Sequence, residues 1–197
     1  MIRCYRIPFS TNVERVALAA GHKEVPIEWI DVDPTDRSPV EALSGQPLVP
    51  VLVAEDVVVS DSPRILDWLE ERFPERRLQP ADPARRAEVR FFVDWFNLVW
   101  KTFPNAINDG IGDAEAHAAE MRRAVELFEA LLGGRDFLFD DFGLADVTAF
   151  PFLKYASRGT APGDDDRFHA VLAERMPLRR DSPLHPWVAR IDALPRS

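Results

Sequence analysis

Residues Gly45 to Phe73 read GQPLVPVLVAEDVVVSDSPRILDWLEERF, and the reading of this stretch decides the fold. Val51 to Ala54 and Val57 to Val59 are short apolar runs rich in β-branched residues, separated only by Glu55-Asp56. That pattern predicts a β-hairpin, although its turn lacks glycine. Asp61-Ser62-Pro63 follows, with Ser62 at the capping position and Pro63 as the first helical residue, where the missing N–H of proline costs nothing. Ile65, Leu66, Leu69 and Phe73 then recur at helical spacing, so one face is buried while Glu70, Glu71 and Arg72 stay wet.

Upstream, Ile2 to Ile7 reads as a strand ended by Pro8, and Ser10-Thr11-Asn12 offers three good helix caps. Val13, Val16, Ala17 and Ala20 form one apolar stripe, with Gly21 as the expected stop. Ile27 to Val32 is a second strand, and strand, helix, strand over so few residues predicts a parallel βαβ pair. Ser38-Pro39-Val40-Glu41 reads as a capping box opening a short helix that ends near Leu43. With the hairpin, this order predicts a four-stranded mixed sheet carrying helices on its faces.

Downstream, residues 78–84 hold two prolines without periodicity and read as a linker between an α/β domain, 1–77, and an all-α domain, 85–197. Val89, Phe92, Val93, Phe96, Val99, Trp100 and Phe103 form a stripe ended by Pro104. Met121 to Leu132 carries a second stripe, stopped by Gly133-Gly134. Leu144 to Tyr155 is apolar nearly all round, as suits a helix in the middle of a bundle, and Pro151 is expected to kink it. A last short helix is expected from Pro186, and Gly163 to Asp166 reads as a solvated acidic loop.

Apolar residues make up 46% of the chain and charged residues 29%, which is globular rather than disordered composition. A formal charge of −9 argues against nucleic acid as a partner, since the Arg pairs (76–77, 85–86, 122–123, 179–180) all sit among acids. Cys4 is the only cysteine, which rules out an intrachain disulfide and points to a reducing compartment. The N-terminus enters strand-like sequence without a charged-then-apolar leader, and no apolar run reaches membrane-spanning length. A cytoplasmic protein with no membrane partner is the expectation. His22, His117, His169 and His185 lack ligand spacing, so no metal site is expected, and each reads as a surface or capping residue.

An α/β domain with a Val49-Pro50 step, an Asp61-Ser62 pair at a helix start, a proline-rich linker and an all-α domain containing Leu144-Ala145-Asp146-Val147 resembles the glutathione S-transferase family over essentially the whole chain. The resemblance implies a thioredoxin-like N-terminal domain, an all-helical C-terminal bundle and a homodimer. It also implies glutathione as co-substrate for conjugation to, or isomerisation of, a small electrophile, a detoxification chemistry. Gly143 departs from the Ser or Thr usual at the cap of the central helix. Ser10 matches the serine of the delta-, theta- and zeta-like classes, where the hydroxyl stabilises the thiolate. On its own chemistry Ser10 reads as a helix cap, and it is the rest of the family pattern that favours the thiolate role; Thr11 is the fallback hydroxyl. Ile7-Pro8-Phe9-Ser10 is also similar to the glutaredoxin and omega-like segment, with Ile7 where the nucleophilic cysteine stands, so dithiol chemistry is excluded.

In the resemblance, Val49 and the cis bond to Pro50 present backbone groups to the cysteinyl moiety, and Asp61 and Ser62 hold the γ-glutamyl end. Gln46 or Arg37 would meet the glycyl carboxylate, while Pro47 stands where several relatives carry a basic residue. Trp100 and Phe103 either line the electrophile pocket or belong to the core. Two other readings stay open: a non-catalytic binding module of the same fold, and a transferase that uses another low-molecular-weight thiol.

Overall fold

A computed structural model describes all of residues 1–197. It separates into two compact units, Met1–Leu78 together with Leu194–Ser197, and Gln79–Ala193.

The first unit is a four-stranded sheet in the order β2-β1-β3-β4. β1 (Ile2–Arg6) runs parallel to β2 (Glu28–Asp31) and antiparallel to β3 (Val51–Ala54), which pairs with β4 (Val57–Ser60). The mixed sheet and its hairpin agree with the expectation. β3 is central and every one of its residues is buried, whereas Val57 and Val58 on edge strand β4 are exposed. Glu55 takes the left-handed conformation (φ 51°) that the hairpin turn requires of its glycine-free loop.

Helices α1 (Thr11–Lys23), α2 (Ser38–Ser44) and α3 (Ser62–Arg72) complete the unit. Gly21 does not stop α1, which runs on to a left-handed cap at Glu24. Gly21 instead lets the chain's last residues lie against the helix, because a Cβ there would sit 2.2 Å from the Pro195 carbonyl oxygen. Ser38 is not the cap of α2 either: its hydroxyl donates to Asp36 at 2.6 Å, and Arg37 occupies the capping position. Lys23 ties α1 to α3. Its buried ammonium reaches Glu70 Oε2 at 2.7 Å and the carbonyls of Phe73 and Arg76 at 2.8 Å each, so all three donors are used.

The second unit contains α4 (Pro83–Trp95), α5 (Thr102–Asp109), α6 (Ala114–Leu132), α7 (Leu144–Arg158), α8 (Arg167–Arg175) and α9 (Leu184–Asp192). Between α4 and α5 the backbone makes a π turn over Phe96–Trp100. The extra residue rotates the stripe, so Phe96 and Trp100 are buried but Val99 is exposed, against expectation. Pro104 does not end a helix: it is the third residue of α5, where a first-turn N–H would have no intrahelical partner anyway. Phe92, Phe96, Trp100, Phe128 and Phe152 pack ring against ring as the core of this unit.

α7 runs through Pro151 and is buried over most of its length. Asp146 serves its start, accepting from Gly143 N at 3.1 Å, Leu138 N at 3.0 Å and Trp187 Nε1 at 2.8 Å. The acidic loop is only partly solvated: Asp164 is buried and accepts from Tyr155 OH at 3.0 Å and His169 Nδ1 at 2.8 Å, while Asp166 caps α8. His169 is correspondingly a buried residue, not a surface one. α9 begins at Leu184, so Pro186 lies within its first turn instead of opening it.

Candidate active site

Ser10 sits where β1 has ended and α1 begins. The turn is made by Phe9, an aromatic residue held at φ 63° and still 42% exposed. Such a conformation is costly for a bulky side chain and persists only where the surroundings fix it. Ser10 caps α1, its Oγ accepting the Val13 N–H at 3.4 Å. An acceptor lone pair is used there, and the hydroxyl proton is left to donate elsewhere, so capping and thiol binding are compatible in one side chain. Thr11 is 5% exposed, which leaves Ser10, at intermediate burial, as the accessible hydroxyl. Ile7 packs with Val49 and Tyr5 against the buried cluster of Val32, Val40 and Val51. That cluster brings the end of β1 beside the loop preceding β3.

The Val49–Pro50 bond is cis. Val49 lies outside the sheet ladder, whose β1–β3 register begins at the Tyr5–Val51 pair. Gln46 is in the same loop, and its amide is engaged locally: Nε2 donates to Ser44 Oγ and Leu48 O at 3.2 and 3.0 Å, and Oε1 accepts from Leu48 N at 2.7 Å. Arg37 crosses this loop with long contacts to the carbonyls of Pro34 and Pro47, at 3.4 and 3.5 Å.

The head of α3 lies one residue earlier than its Ser-Pro step suggests. Asp61, not Ser62, is the cap residue, held at φ 76° and making no side-chain capping bond. Ser62 is the first helical residue and is 1% exposed. Its hydroxyl is thereby free of capping and instead meets α1: it accepts from Arg15 at 3.4 Å and donates to Asn12 Oδ1 at 3.3 Å. Arg15 also donates to Asn12 Oδ1 at 3.3 Å, closing a triangle.

Arg15 was not foreseen as a site residue. It is completely buried, and burial pushes its guanidinium down to about 9, with the charge of Asp61 pulling back, so it remains a cation at neutral pH. The signal in the sequence was faint: Arg15 stands immediately before Val16 in a helix whose buried residues also include Leu18, Ala19 and Lys23. A buried cation, a buried hydroxyl and a helix start beside an exposed carboxylate suit an α-amino acid zwitterion.

Cys4 lies in β1, fully buried, and burial pushes its thiol up to about 12, which makes it inert as a nucleophile. Trp100 is fully buried in the aromatic core, whereas Phe103 is half-buried. No group of three or more His, Cys, Asp or Glu side chains converges as a metal site would require, and no helix is long and apolar enough to cross a membrane.

Comparison with known proteins gives the geometry a family. Residues 5–77 match the model of the glutathione S-transferase N-terminal domain, and residues 112–190 match that of the C-terminal domain. A probable glutathione S-transferase of Solanum tuberosum is 30% identical over 72% of this chain, although the match covers only 65% of that protein. The glutathione S-transferase GstB of Escherichia coli K12 is 29% identical over 87% of this chain and 92% of its own length. Among solved structures, a Tau class glutathione S-transferase from mango, Mangifera indica, superposes over 98% of this chain and 88% of its own with a TM-score of 0.79, at 19% identity. With both halves matched and a fold shared from end to end, the chain belongs to the glutathione S-transferase family.

Proposed function

We propose that this protein is a cytoplasmic glutathione transferase whose Ser10 keeps the bound thiol deprotonated for attack on, or reversible addition to, a small electrophile. Glutathione lies along Val49 and cis-Pro50, with its γ-glutamyl end at Asp61 and Ser62 and its sulfur at Ser10. The observation that carries this reading is the Ser62 hydroxyl, released from capping and backed by the buried charge of Arg15. A helix start with that arrangement is built to receive a carboxylate.

Lowering the thiol pKa by about two units needs about 2.7 kcal/mol of preference for the anion. One charge-assisted hydrogen bond from Ser10 and the positive end of α1 together supply that order of energy. The reacting nucleophile belongs to the co-substrate, and the protein contributes position and electrostatics. A homodimer is part of the proposal. It is supported by the apolar outer face of the helical unit, where Phe91 and Leu98 are 76% and 74% exposed and a groove lined by Phe92, Trp95, Leu127 and Leu131 lies beside Phe91. A monomeric mass in sedimentation at micromolar concentration overturns that part.

The test of the activity is calorimetric titration with glutathione alongside turnover of an activated aryl halide. Ser62→Ala is expected to weaken binding about ten-fold or more. Ser10→Ala is expected to retain binding and to move the pH midpoint of turnover upward by one to two units. A wild-type protein that binds no glutathione defeats the proposal, and one that binds it with turnover unmoved by Ser10→Ala is a binding module instead.

A further inference from the structure

We propose that Ser157 is an acyl-accepting nucleophile, activated by His185 within the helical unit, and that it takes acyl groups from aryl esters. Both residues lie outside the groups assigned to glutathione.

A serine inside a helix commonly turns its hydroxyl back to the carbonyl one turn earlier, as Ser44 does to Val40 O at 2.9 Å. Ser157, in the last turn of α7, is directed instead at α9: its Oγ lies 2.8 Å from His185 Nδ1. The other ring nitrogen decides which group donates. His185 Nε2 is 3.1 Å from the carbonyl oxygen of Arg179, which can only accept, so Nε2 carries the proton of the neutral ring. Nδ1 is then a lone-pair acceptor, and the Ser157 hydroxyl donates to it. A hydroxyl, a base within reach of its proton and a third group that holds the base in one tautomer are the parts that activate a weak nucleophile. The surroundings fix them in place. Ser182 secures the start of α9, its Oγ accepting from Leu184 N and its carbonyl from His185 N at 3.2 Å each, while its own hydroxyl donates to Glu129 Oε1 at 2.6 Å. Arg158, next to Ser157, pairs with Asp192 and so ties the end of α7 to α9. Ser157 and His185 are both half-buried, which leaves the pair open to a small reagent.

In the step proposed, Ser157 Oγ forms a bond to the acyl carbon of the ester while its proton passes to His185 Nδ1. The tetrahedral adduct collapses by breaking the bond from that carbon to the leaving oxygen, which departs with the electron pair as a phenolate. His185 then gives the proton to the phenolate or to water, and Ser157 is left as an ester. The class of acyl donor follows from what the start of α9 offers. The N–H groups of Leu184 and His185 are both taken by Ser182, so neither is available to the oxyanion of the adduct. One such donor is worth about 10²–10³ in rate. Aryl esters, whose leaving group departs without being protonated, react without that help, and amides and alkyl esters do not.

The test is exposure of the folded protein to p-nitrophenyl acetate at neutral pH. Trypsin cleaves after Lys154 and Arg158, so fragmentation of the peptide Tyr155-Ala156-Ser157-Arg158 locates the acetyl group. The expected result is acetylation of Ser157 with release of a matching amount of p-nitrophenolate, and no label on this peptide in Ser157→Ala. His185→Gln keeps a hydrogen-bonding side chain but supplies no base, and it should slow the acetylation by about a hundred-fold or more. A companion measurement needs no variant: in urea the unaltered chain should acetylate Ser157 no faster than its other serines, because the base is then no longer beside it. A native protein that carries no acetyl group on Ser157 overturns the proposal. A rate unchanged in folded His185→Gln overturns it too, since the contact is then only a tie between α7 and α9. Preference for Ser157 that survives in urea has the same consequence.

Discussion

At the scale of single residues, the informative positions are those where a charged or polar group is buried with its partners. Ser62 and Arg15 illustrate how much of the candidate site is legible. The Asp61-Ser62 pair announces a helix start, but Asp61, not Ser62, is its cap. Asp61 takes a positive-φ conformation (φ 76°, ψ 126°) that sequence does not advertise, and the helix begins at Ser62. Arg15 escaped because charge on a helix ordinarily means a wet face, and only tertiary packing makes α1 buried on so many sides. Cys4 is a small residue in mid-strand, packed into the core. Its reactivity gives a simple prediction. With the thiol pushed up to about 12 and no exposed surface, native protein should take up no iodoacetamide at pH 8 over an hour, and unfolding in urea should make Cys4 react at the rate of a free thiol. Alkylation of the native chain at that free-thiol rate sinks the assignment of Cys4 as a core residue.

At the scale of elements, periodicity served well wherever a helix or strand is regular. The hairpin, the βαβ unit and the long stripe of α6 emerge where expected, because alternation and 3.6-residue spacing are direct consequences of burying one face. It failed at the π turn between α4 and α5, where one inserted residue moves Val99 from the core to solvent. The start of α7 shows an element fixed by one carboxylate. Burial pushes the Asp146 carboxyl up from 3.8 to about 6, outweighing the four N–H groups that pull it down, those of Leu138, Trp187, Gly143 and Asp146 itself. The native state then binds the proton more tightly than the unfolded chain, so this group's contribution is fully present below about pH 4 and is lost as pH rises through about 6. The loss amounts to roughly 3 kcal/mol across that window. Asp146→Asn removes the titration while keeping an acceptor for Leu138 N and Trp187 Nε1. The prediction is a flatter dependence of urea midpoint on pH between 4 and 7 in the variant. Identical slopes in the two proteins sink it.

At the scale of the whole molecule, the chain leaves its first unit at Leu78 and rejoins it at Leu194, so four residues remote in sequence become part of the α/β unit. No sequence pattern in Leu194-Pro195-Arg196-Ser197 announces this, because the contacts use backbone and small polar groups without periodicity. Ser197 N donates to Ala17 O at 3.2 Å, Ile27 N donates to Ser197 Oγ at 2.9 Å, and Trp29 Nε1 donates to Ser197 O at 2.7 Å. Arg196 adds a half-buried pair with Glu14 at 3.1 Å. The segment is thus fastened to both α1 and β2, and it passes so close to α1 that only glycine fits at residue 21. In an open helix, Gly→Ala stabilises by about 1 kcal/mol through propensity alone. Here the added Cβ would lie 2.2 Å from Pro195 O, 2.7 Å from Pro195 C and 2.9 Å from Arg196 Cα, all backbone atoms that cannot rotate away. The tail must move, and three hydrogen bonds of about 0.5 to 1.5 kcal/mol each move with it. The sign should therefore reverse: Gly21→Ala is expected to cost about 1 to 3 kcal/mol in urea unfolding, since the lost contacts exceed the propensity gain. Loss of the indole bond should also change Trp29 emission in the folded variant. A stabilised Gly21→Ala protein would mean that the tail does not pack against α1 in solution.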